Sequence, residues 1–379
     1  MMDIATIFRN YFGDYVKRFG TRIPSFHLKA VKAIIDCRTS IMGGDVYYCS
    51  ACEKFHYSYH SCKNRHCPKC GSIDSEKWLE KQMKKLLPVN YFMVTFTIPE
   101  ELRFVCRSNQ KLFYSILFKA SSEALKTLLS DPKYAGGKAG FVGILHTWTR
   151  QLHYHPHIHF IVPGGAFDVE RNQWNKANSK FLIPVKALSK RYRANFQKLL
   201  KKKNSQIFEN IPNHIWYSKE FITNSKSVGK GEKALKYLSN YVYRVAIGNN
   251  RIVKYQNGKV TFKYKPSGSN KFKYQTVTAI EFMRRFLQHV LPSGFQKIRY
   301  FGFLSSAGKN IFEKVQEYFN IKTKKTILPQ KSEFQKLERD ICPHCKSKMK
   351  HFASILRKPR APPNLLLKTI SAKCYQQTV

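Results

Sequence analysis

Acidic residues are scarce. The chain of 379 residues carries 23 Asp and Glu against 67 Lys and Arg, a formal net charge of +44. Self-repulsion of that size is relieved by a polyanionic partner, and nucleic acid is the commonest one. The basic residues run through the whole chain instead of forming one tail, which favours a broad polyanion-binding role over a single basic extension. Long apolar runs are also missing. No stretch nears the roughly 20 apolar residues that span a bilayer, so no membrane association is expected. The opening MMDIATIFRNYFGDYV lacks the charged start, apolar middle and small-residue cleavage site of a signal peptide. It reads instead as an amphipathic helix carrying Ile4, Ile7, Phe8, Tyr11 and Tyr15. There is no GxxxxGK[ST], which excludes a P-loop motor from this sequence, and no internal repeat. Apolar residues at 43% suffice for at least one sizeable core, in two or three domains of roughly 150 residues.

The pattern of elements is mixed. Two helices are expected in 1–36, the second opening at Pro24-Ser25, and six of the ten cysteines fall in 37–75. A helix over about 74–85 has an acidic start and a basic end that suit the helix dipole. A β-rich run, Tyr91 to Ile98, is stopped by Pro99. A long helix over 108–129 follows, then two strands joined near Arg150-Gln151 and ending at Pro163-Gly164-Gly165. Next come a basic helix over 186–203, a strand near His214–Phe221 and a helix over 232–245. A hairpin over 251–264 and 272–282 leads into a further helix. The order implies an α+β fold, an antiparallel sheet flanked by helices and preceded by a small zinc-binding domain. The expected boundaries are 1–36 for the N-terminal helices, 37–85 for the zinc-binding domain with its connector helix, 86–305 for the catalytic domain and 306–379 for a basic tail with a CxxC.

With a reducing cytoplasm as the expected setting, clustered CxxC pairs point to metal and not to disulfides. Cys49-x-x-Cys52 and Cys67-x-x-Cys70 are separated by 14 residues, close to the spacing of a ribbon that holds Zn²⁺ with four thiolates. Such an ion also supplies folding free energy to a segment too small to build its own core. Cys37 and Cys62, with His56, His60 and His66 nearby, offer a second zinc site, for which Cys37, Cys62 and His66 are the leading ligands. The CPHC at Cys342–Cys345 lacks an obvious second pair; His351 and Cys374 are candidates.

The segment Leu152–Phe160 reads LHYHPHIHF. Alternate side chains of a strand share a face, so His153, His155, His157 and His159 would point one way, with Ile158 and Phe160 in the core. Residues two apart can chelate one ion, while the ends of this run are too far apart. The expected metal site is therefore an adjacent pair, such as His157 and His159, plus His155 near the bend at Pro156 or His146 on the neighbouring strand. A two-residue turn at Arg150-Gln151 would put His146 opposite His155. Further on, KALKYLSNYVYRVAI places Tyr237 and Tyr241 one helical turn apart, with Tyr243 close by. By itself such a pair is ordinary packing; beside a histidine strand and a basic chain it becomes a candidate pair of nucleophiles.

These features together resemble the rolling-circle transposases of the insertion sequence 91 family, which belong to the HUH nucleases. The resemblance runs through SCKNRHCPKC at 61–70, FTIPEEL at 96–102, LHTW at 145–148 and HPHIHFIVPGG at 155–165. It continues in YLSNYVYRVAIGNNRI at 237–252 and FMRRFLQHVLPSGFQKIRYFGFL at 282–304. It implies that His157-Ile158-His159 is the HUH pair holding catalytic Mg²⁺ or Mn²⁺, and that Tyr237 and Tyr241 attack single-stranded DNA to give a 5′-phosphotyrosine. The expected partner is single-stranded DNA at element ends and target, in a bacterial cytoplasm and on the nucleoid. Arg191, Arg193, Arg244, Arg284 and Arg285 are candidates for tracking the phosphate backbone, and Phe286, Phe295, Tyr300 and Phe301 for stacking on unpaired bases. Two competing readings are an HUH replication initiator and a non-catalytic, zinc-dependent nucleic-acid binder.

Overall fold

The computed structural model describes residues 3–70, 72–178, 181–217, 221–242, 246–266, 268–321 and 340–359, with the backbone alone for 72–74, 240 and 241. From the N-terminus come helices α1 (Ile4–Phe19) and α2 (Ser25–Asp36), strands β1 (Gly44–Cys49) and β2 (Lys54–Tyr59), helix α3 (Ser72–Met83) and strand β3 (Tyr91–Thr97). Helices α4 (Leu102–Ser108) and α5 (Gln110–Ser130) precede strands β4 (Gly140–Trp148), β5 (Tyr154–Pro163), β6 (Gly165–Asp168) and β7 (Gln173–Lys176). Then follow helices α6 (Val185–Lys203), α7 (Ser205–Glu209) and α8 (Asn213–Tyr217), strand β8 (Thr223–Ser227) and helix α9 (Glu232–Val242). The rest comprises strands β9 (Ile252–Gln256), β10 (Lys259–Tyr264) and β11 (Lys273–Thr278), helix α10 (Ala279–Leu287), strand β12 (Ile298–Gly302), helix α11 (Lys309–Tyr318) and strand β13 (Lys350–Ile355). The fold is α+β with antiparallel sheets flanked by helices, as the sequence pattern implied.

The chain divides into two units. One gathers Met1–Gly71, Ile247–Val290 and Thr323–Val379; the other gathers Ser72–Ala246 and Leu291–Lys322. Boundaries drawn along the sequence at 36, 85 and 305 cut across this division. Residues 252–287, expected with the catalytic segment, pack instead on α1, where Phe8 and Phe286 meet edge to face at 5.3 Å. Which distant segments pair is decided by side-chain fit, and local composition does not carry that information.

In the first unit α1 starts at Asp3, whose carboxylate accepts the Thr6 amide at 2.7 Å and also pairs with Lys69 Nζ at 2.7 Å. A cap of this kind satisfies an orphan amide and suits the helix dipole. The hairpin β1–β2 gains β13 on its other side to form the antiparallel sheet β13-β1-β2. A second sheet, β11-β10-β9, leads into α10, which is capped by Thr278 Oγ1 accepting the Glu281 amide at 3.3 Å.

The second unit is built on an antiparallel sheet in the order β12-β4-β5-β3-β8. One face is a continuous core: Phe92, Val94 and Phe96 of β3, Phe141 and Leu145 of β4, and Ile158, Phe160 and Val162 of β5 pack under α5 and α6. Phe160 is the centre of this layer, edge to face with Phe141 at 5.3 Å and with Phe96 at 5.7 Å. Its ring occupies the space beside Gly143, its cross-strand partner, where an added Cβ would lie 2.5 Å from the ring. The opposite face carries Val142, Ile144 and Ile161, and onto it pack Trp78 of α3 and Ala234, Leu235, Leu238 and Val242 of α9. Trp78 donates its indole N–H to the Tyr300 hydroxyl at 2.9 Å, so α3, α9 and the β12 edge form one layer over this side.

The strand expected near His214–Phe221 is the short helix α8. Ile215 and Trp216 are adjacent and both buried, the burial pattern of a helix turn and not the alternation of a strand. The strand of this region comes later, in the polar Thr223–Ser227, which pairs along β3 at the sheet edge and so shows no apolar alternation.

A three-histidine centre and two cysteine clusters

The face of β5 that carries Ile161 also carries His157 and His159. Alternation does this: Ile158 and Phe160 enter the core, so their neighbours in sequence must turn the other way. His157 and His159 come within reach of His146 of β4, and the ligand nitrogens of the three all lie within 4.8 Å of one another. The ring centroids form a near-equilateral triangle of 5.2, 4.7 and 4.8 Å. Three points that close share a centre no more than about 2.8 Å (4.8 Å divided by √3) from each, which small ring rotations bring to the 2.0–2.1 Å typical of metal–imidazole bonds.

The hydrogen bonds pre-orient the donors. His157 Nδ1 donates to the carbonyl oxygen of His155 at 2.7 Å, which fixes the tautomer and leaves a lone pair on Nε2. His159 Nδ1 lies 2.8 Å from Thr95 Oγ1, a partner able to hold that ring when its other nitrogen binds a cation. Partners of this kind are what raise ligand basicity and lock ring orientation in metal sites. Burial pushes the His146 and His157 pKa values well below the ordinary imidazole range and the His159 value to about 4. Neighbouring imidazoles add to the shift at His146 and His157, as do the charges of Lys297 at His146 and Arg103 at His157. All three rings are therefore neutral near pH 7 and offer lone pairs. The donor set fits a divalent transition metal better than Mg²⁺, which prefers oxygen ligands.

The third member is His146, and His155 stands outside the triangle. His155 lends its backbone carbonyl to His157, its ring 5.0 Å from that of His157. His153 precedes β5 and is exposed, after a turn in which Leu152 adopts φ 64°. A two-residue turn would have paired His146 with His155. A β-bulge between His146 and Trp148 and a longer connection shift the register by two, so that His146 faces His157. An even shift keeps the ring on the same face.

Of the tyrosine pair, Tyr237 lies on α9, 43% exposed, on the helix whose Leu235, Leu238 and Val242 cover the histidine-bearing face of the sheet. Position 241 is one turn further along α9; the Tyr241 side chain, Tyr243 and Arg244 lie outside what is described. The cation of Lys297 stands 4.7 Å over the Trp148 ring, beside the β4 end that bears His146.

Among the basic candidates, Arg191 is exposed on α6, with Arg193 half-buried beside it. That helix buries Leu188, Tyr192, Phe196 and Leu200 and carries no acidic residue. Arg284 and Arg285 are both engaged by Glu281, at 2.6 and 2.7 Å, so their charge is already partly spent within α10. Phe286 and Phe295 are core residues, 2% and 5% exposed, and are not available to stack on bases.

The cysteines group differently from the sequence expectation. Cys67 and Cys70 join Cys37 and Cys62, while Cys49 and Cys52 join Cys342 and Cys345. The reason is the hairpin. Residues 37 and 60–62 lie at its base, where Arg38 donates to the His60 carbonyl and His60 to that of Gly43. Cys49 ends β1 at the tip, five residues or roughly 17 Å from Gly44. Tight turns, Cys67 N to Asn64 O at 3.0 Å and Cys70 N to Cys67 O at 3.1 Å, then fold the second CxxC back onto Cys62 and Cys37. His66, a predicted ligand, is not in the cluster; its amide donates to Asn64 Oδ1 at 2.8 Å. His351 also lies apart, 3.5 Å from Asp45, and Cys374 lies outside the described residues.

Among the described residues no helix is long and apolar enough to cross a membrane. A family model described as a putative transposase matches residues 140–311, which contain the three histidines, α6 and α9. One described as a transposase zinc-binding domain matches residues 7–98, from α1 to β3. The chain is 37% identical to the putative transposase y4qJ of Sinorhizobium fredii over 321 residues, covering 80% of each chain. It is 27% identical to the transposase for insertion sequence element IS801 of Pseudomonas savastanoi pv. phaseolicola, over 88% of this chain and 85% of that one. No solved structure matches it significantly. Structural zinc is thus supported both by the matched domain and by the thiol clusters, and the chain belongs to the insertion sequence 91 family of transposases.

Proposed function

We propose that the chain cleaves and rejoins single-stranded DNA through a 5′-phosphotyrosine, with Tyr241 or Tyr237 of α9 as nucleophile and His146, His157 and His159 as ligands of a divalent cation. The observation that carries this reading is the packing of α9 on the sheet face where the three neutral imidazoles converge. A cation bound there, Mn²⁺ before Mg²⁺ on donor chemistry, would polarise the scissile phosphate and offset charge developing on its oxygens. The tyrosine oxygen forms the new bond to phosphorus as the bond to the 3′ oxygen breaks. The phenol loses its proton and the departing 3′ oxygen takes one up. The linkage keeps the phosphodiester energy, so a free 3′-OH can reverse the step without ATP. The charge of Lys297, which acts on His146, favours a phosphate beside the imidazoles over any cationic substrate. The first zinc ion belongs to Cys37, Cys62, Cys67 and Cys70.

The test is incubation of the full chain with Mn²⁺ and a single-stranded oligonucleotide carrying an end of its own element. A covalent adduct that survives denaturation, lost in Tyr241→Phe or Tyr237→Phe, is the expected result. An unchanged adduct in both variants and in their double variant refutes the assignment of the nucleophile to α9. Absence of any adduct across Mn²⁺, Mg²⁺ and Zn²⁺ leaves a zinc-dependent DNA binder.

A further inference from the structure

The CPHC at Cys342–Cys345 lies far beyond the matched zinc-binding domain, which ends at residue 98, yet it reaches the tip of the β1–β2 hairpin. Cys345 Sγ is 3.4 Å from Cys49 Sγ and 3.6 Å from Cys52 Sγ, and Cys342 Sγ is 3.5 Å from Cys52 Sγ. Four thiolates at about 2.3 Å around Zn²⁺ make a tetrahedron with edges of about 3.8 Å. Disulfide sulfurs would sit at about 2.05 Å. The spacing suits an ion and not a pair of bonds.

The two pairs are built alike. Each second cysteine is followed by a non-glycine residue in the left-handed region, Glu53 at φ 52° and Lys346 at φ 62°. Such residues are uncommon, and Arg38 and Lys63, at φ 58° and 52°, repeat the device after Cys37 and Cys62. Each pair also sits in a hairpin turn. Cys49 pairs with Lys54 at the end of β1–β2. Cys342 donates its amide to Ser347 O at 2.8 Å, and Ile341 bridges Lys348. Cys49 and Cys342 are fully buried beneath Tyr47 and Met349, while His56 Nε2 stands 3.4 Å from Cys342 Sγ, placed to donate an N–H to that thiolate.

We infer that Cys49, Cys52, Cys342 and Cys345 form a second structural zinc site, whose role is to clamp residues 340–359 onto the N-terminal sheet. Four protein thiolates leave no open coordination position, so the site is structural and not catalytic. Its effect is to hold β13 along β1, from Gly44 opposite Ile355 to Tyr48 opposite Lys350. Phe352 then rests against Phe55 at 5.0 Å. The clamp closes a loop of nearly 300 residues (Cys49 to Cys345), and joining such distant segments costs entropy that strand pairing alone repays poorly. Because a bound metal contributes its binding free energy to folding, the ion supplies what the exposed strand β13 lacks in burial.

Metal analysis of the full-length chain tests this without reference to tyrosine chemistry. With the imidazole site removed by His146→Ala/His157→Ala in every protein compared, two Zn²⁺ per chain are expected for this parent, one when the double variant Cys342→Ser/Cys345→Ser is added, and two again with Cys345→His, which keeps a ligand at that position. Replacement by Co²⁺ should give thiolate-to-metal charge-transfer absorption that falls by half in the double variant. With a protease site inserted at 330, the cut C-terminal fragment should remain bound to the parent and separate from the double variant. One Zn²⁺ in the parent, two in the double variant, or a disulfide within either pair overturns the inference.

Discussion

The imidazoles of His146 and His157 face each other across the β4–β5 pair, in register and with ring centres 5.2 Å apart. His155, the nearer residue in sequence, gives the site a carbonyl instead of a ring. His146→Ala should therefore weaken Mn²⁺ binding and adduct formation by at least 100-fold, and His155→Ala by less than 10-fold. Calorimetric titration of Mn²⁺ and adduct yield on denaturing gels measure both. Equal losses in the two variants would return His155 to the ligand set.

Thr95 supports the same site from β3. Its hydroxyl lies 2.8 Å from His159 Nδ1, and loss of such an outer partner typically costs 10–100-fold in metal affinity. Thr95→Val keeps the shape and should lower Mn²⁺ affinity within that range while leaving the melting temperature within about 2 °C. An unchanged affinity would show that the ring is held by packing alone.

Gly143 is fixed by the ring of Phe160, which would meet an added Cβ at 2.5 Å. Gly143→Ala should destabilise the protein by about 1–3 kcal/mol, the usual range for overpacking. Denaturant unfolding checks this, with zinc content unchanged. A neutral result would mean that β4 and β5 shift apart with little cost.

Glu281 gives a pH signature. Hydrogen bonds from Arg284, then Arg285, outweigh burial and hold its carboxyl at about 2. Since the folded value is depressed, the stabilisation is complete above the unfolded value near 4.5 and disappears as pH falls towards 2. The side chain is 32% exposed, so solvent screening leaves a contribution of roughly 1 kcal/mol. Glu281→Gln should be less stable than the parent at pH 7 and match it near pH 2, in denaturant titrations across that span.

Helix α6 presents its lysines with no acid on the same helix. If Lys201, Lys202 and Lys203 each contact one phosphate of a single strand, replacing all three by Ala should flatten log K against log salt by about 2, since each contact contributes about 0.7. An unchanged slope would locate the DNA elsewhere.

Much of the layout was legible along the sequence. The period-two run at 155–162 showed which histidines share a face, and the apolar stripe of α9 showed where that helix must bury itself. The third histidine of the triangle was harder to read because it depends on register, and the bulge after His146 has no glycine or proline to announce it. The cysteine partners were illegible for another reason. A CxxC says that two sulfurs point one way, but the hairpin length decides which other sulfurs they meet, and Cys342 lies 290 residues from Cys52. A signal was nonetheless available: Cys49–Cys52 and Cys342–Cys345 have equal spacing, and each precedes a short β run.

Strand β13 is the partner of β1, so the N-terminal sheet cannot be finished until the ribosome has made residue 355. At synthesis rates of about 5–20 residues per second, Cys49 and Cys52 wait for roughly 15–60 seconds before Cys342 and Cys345 emerge. The second unit, which ends at Lys322, has all its strands in hand before then. The sheet that holds the segment made first is thus among the last parts of the protein that can be completed.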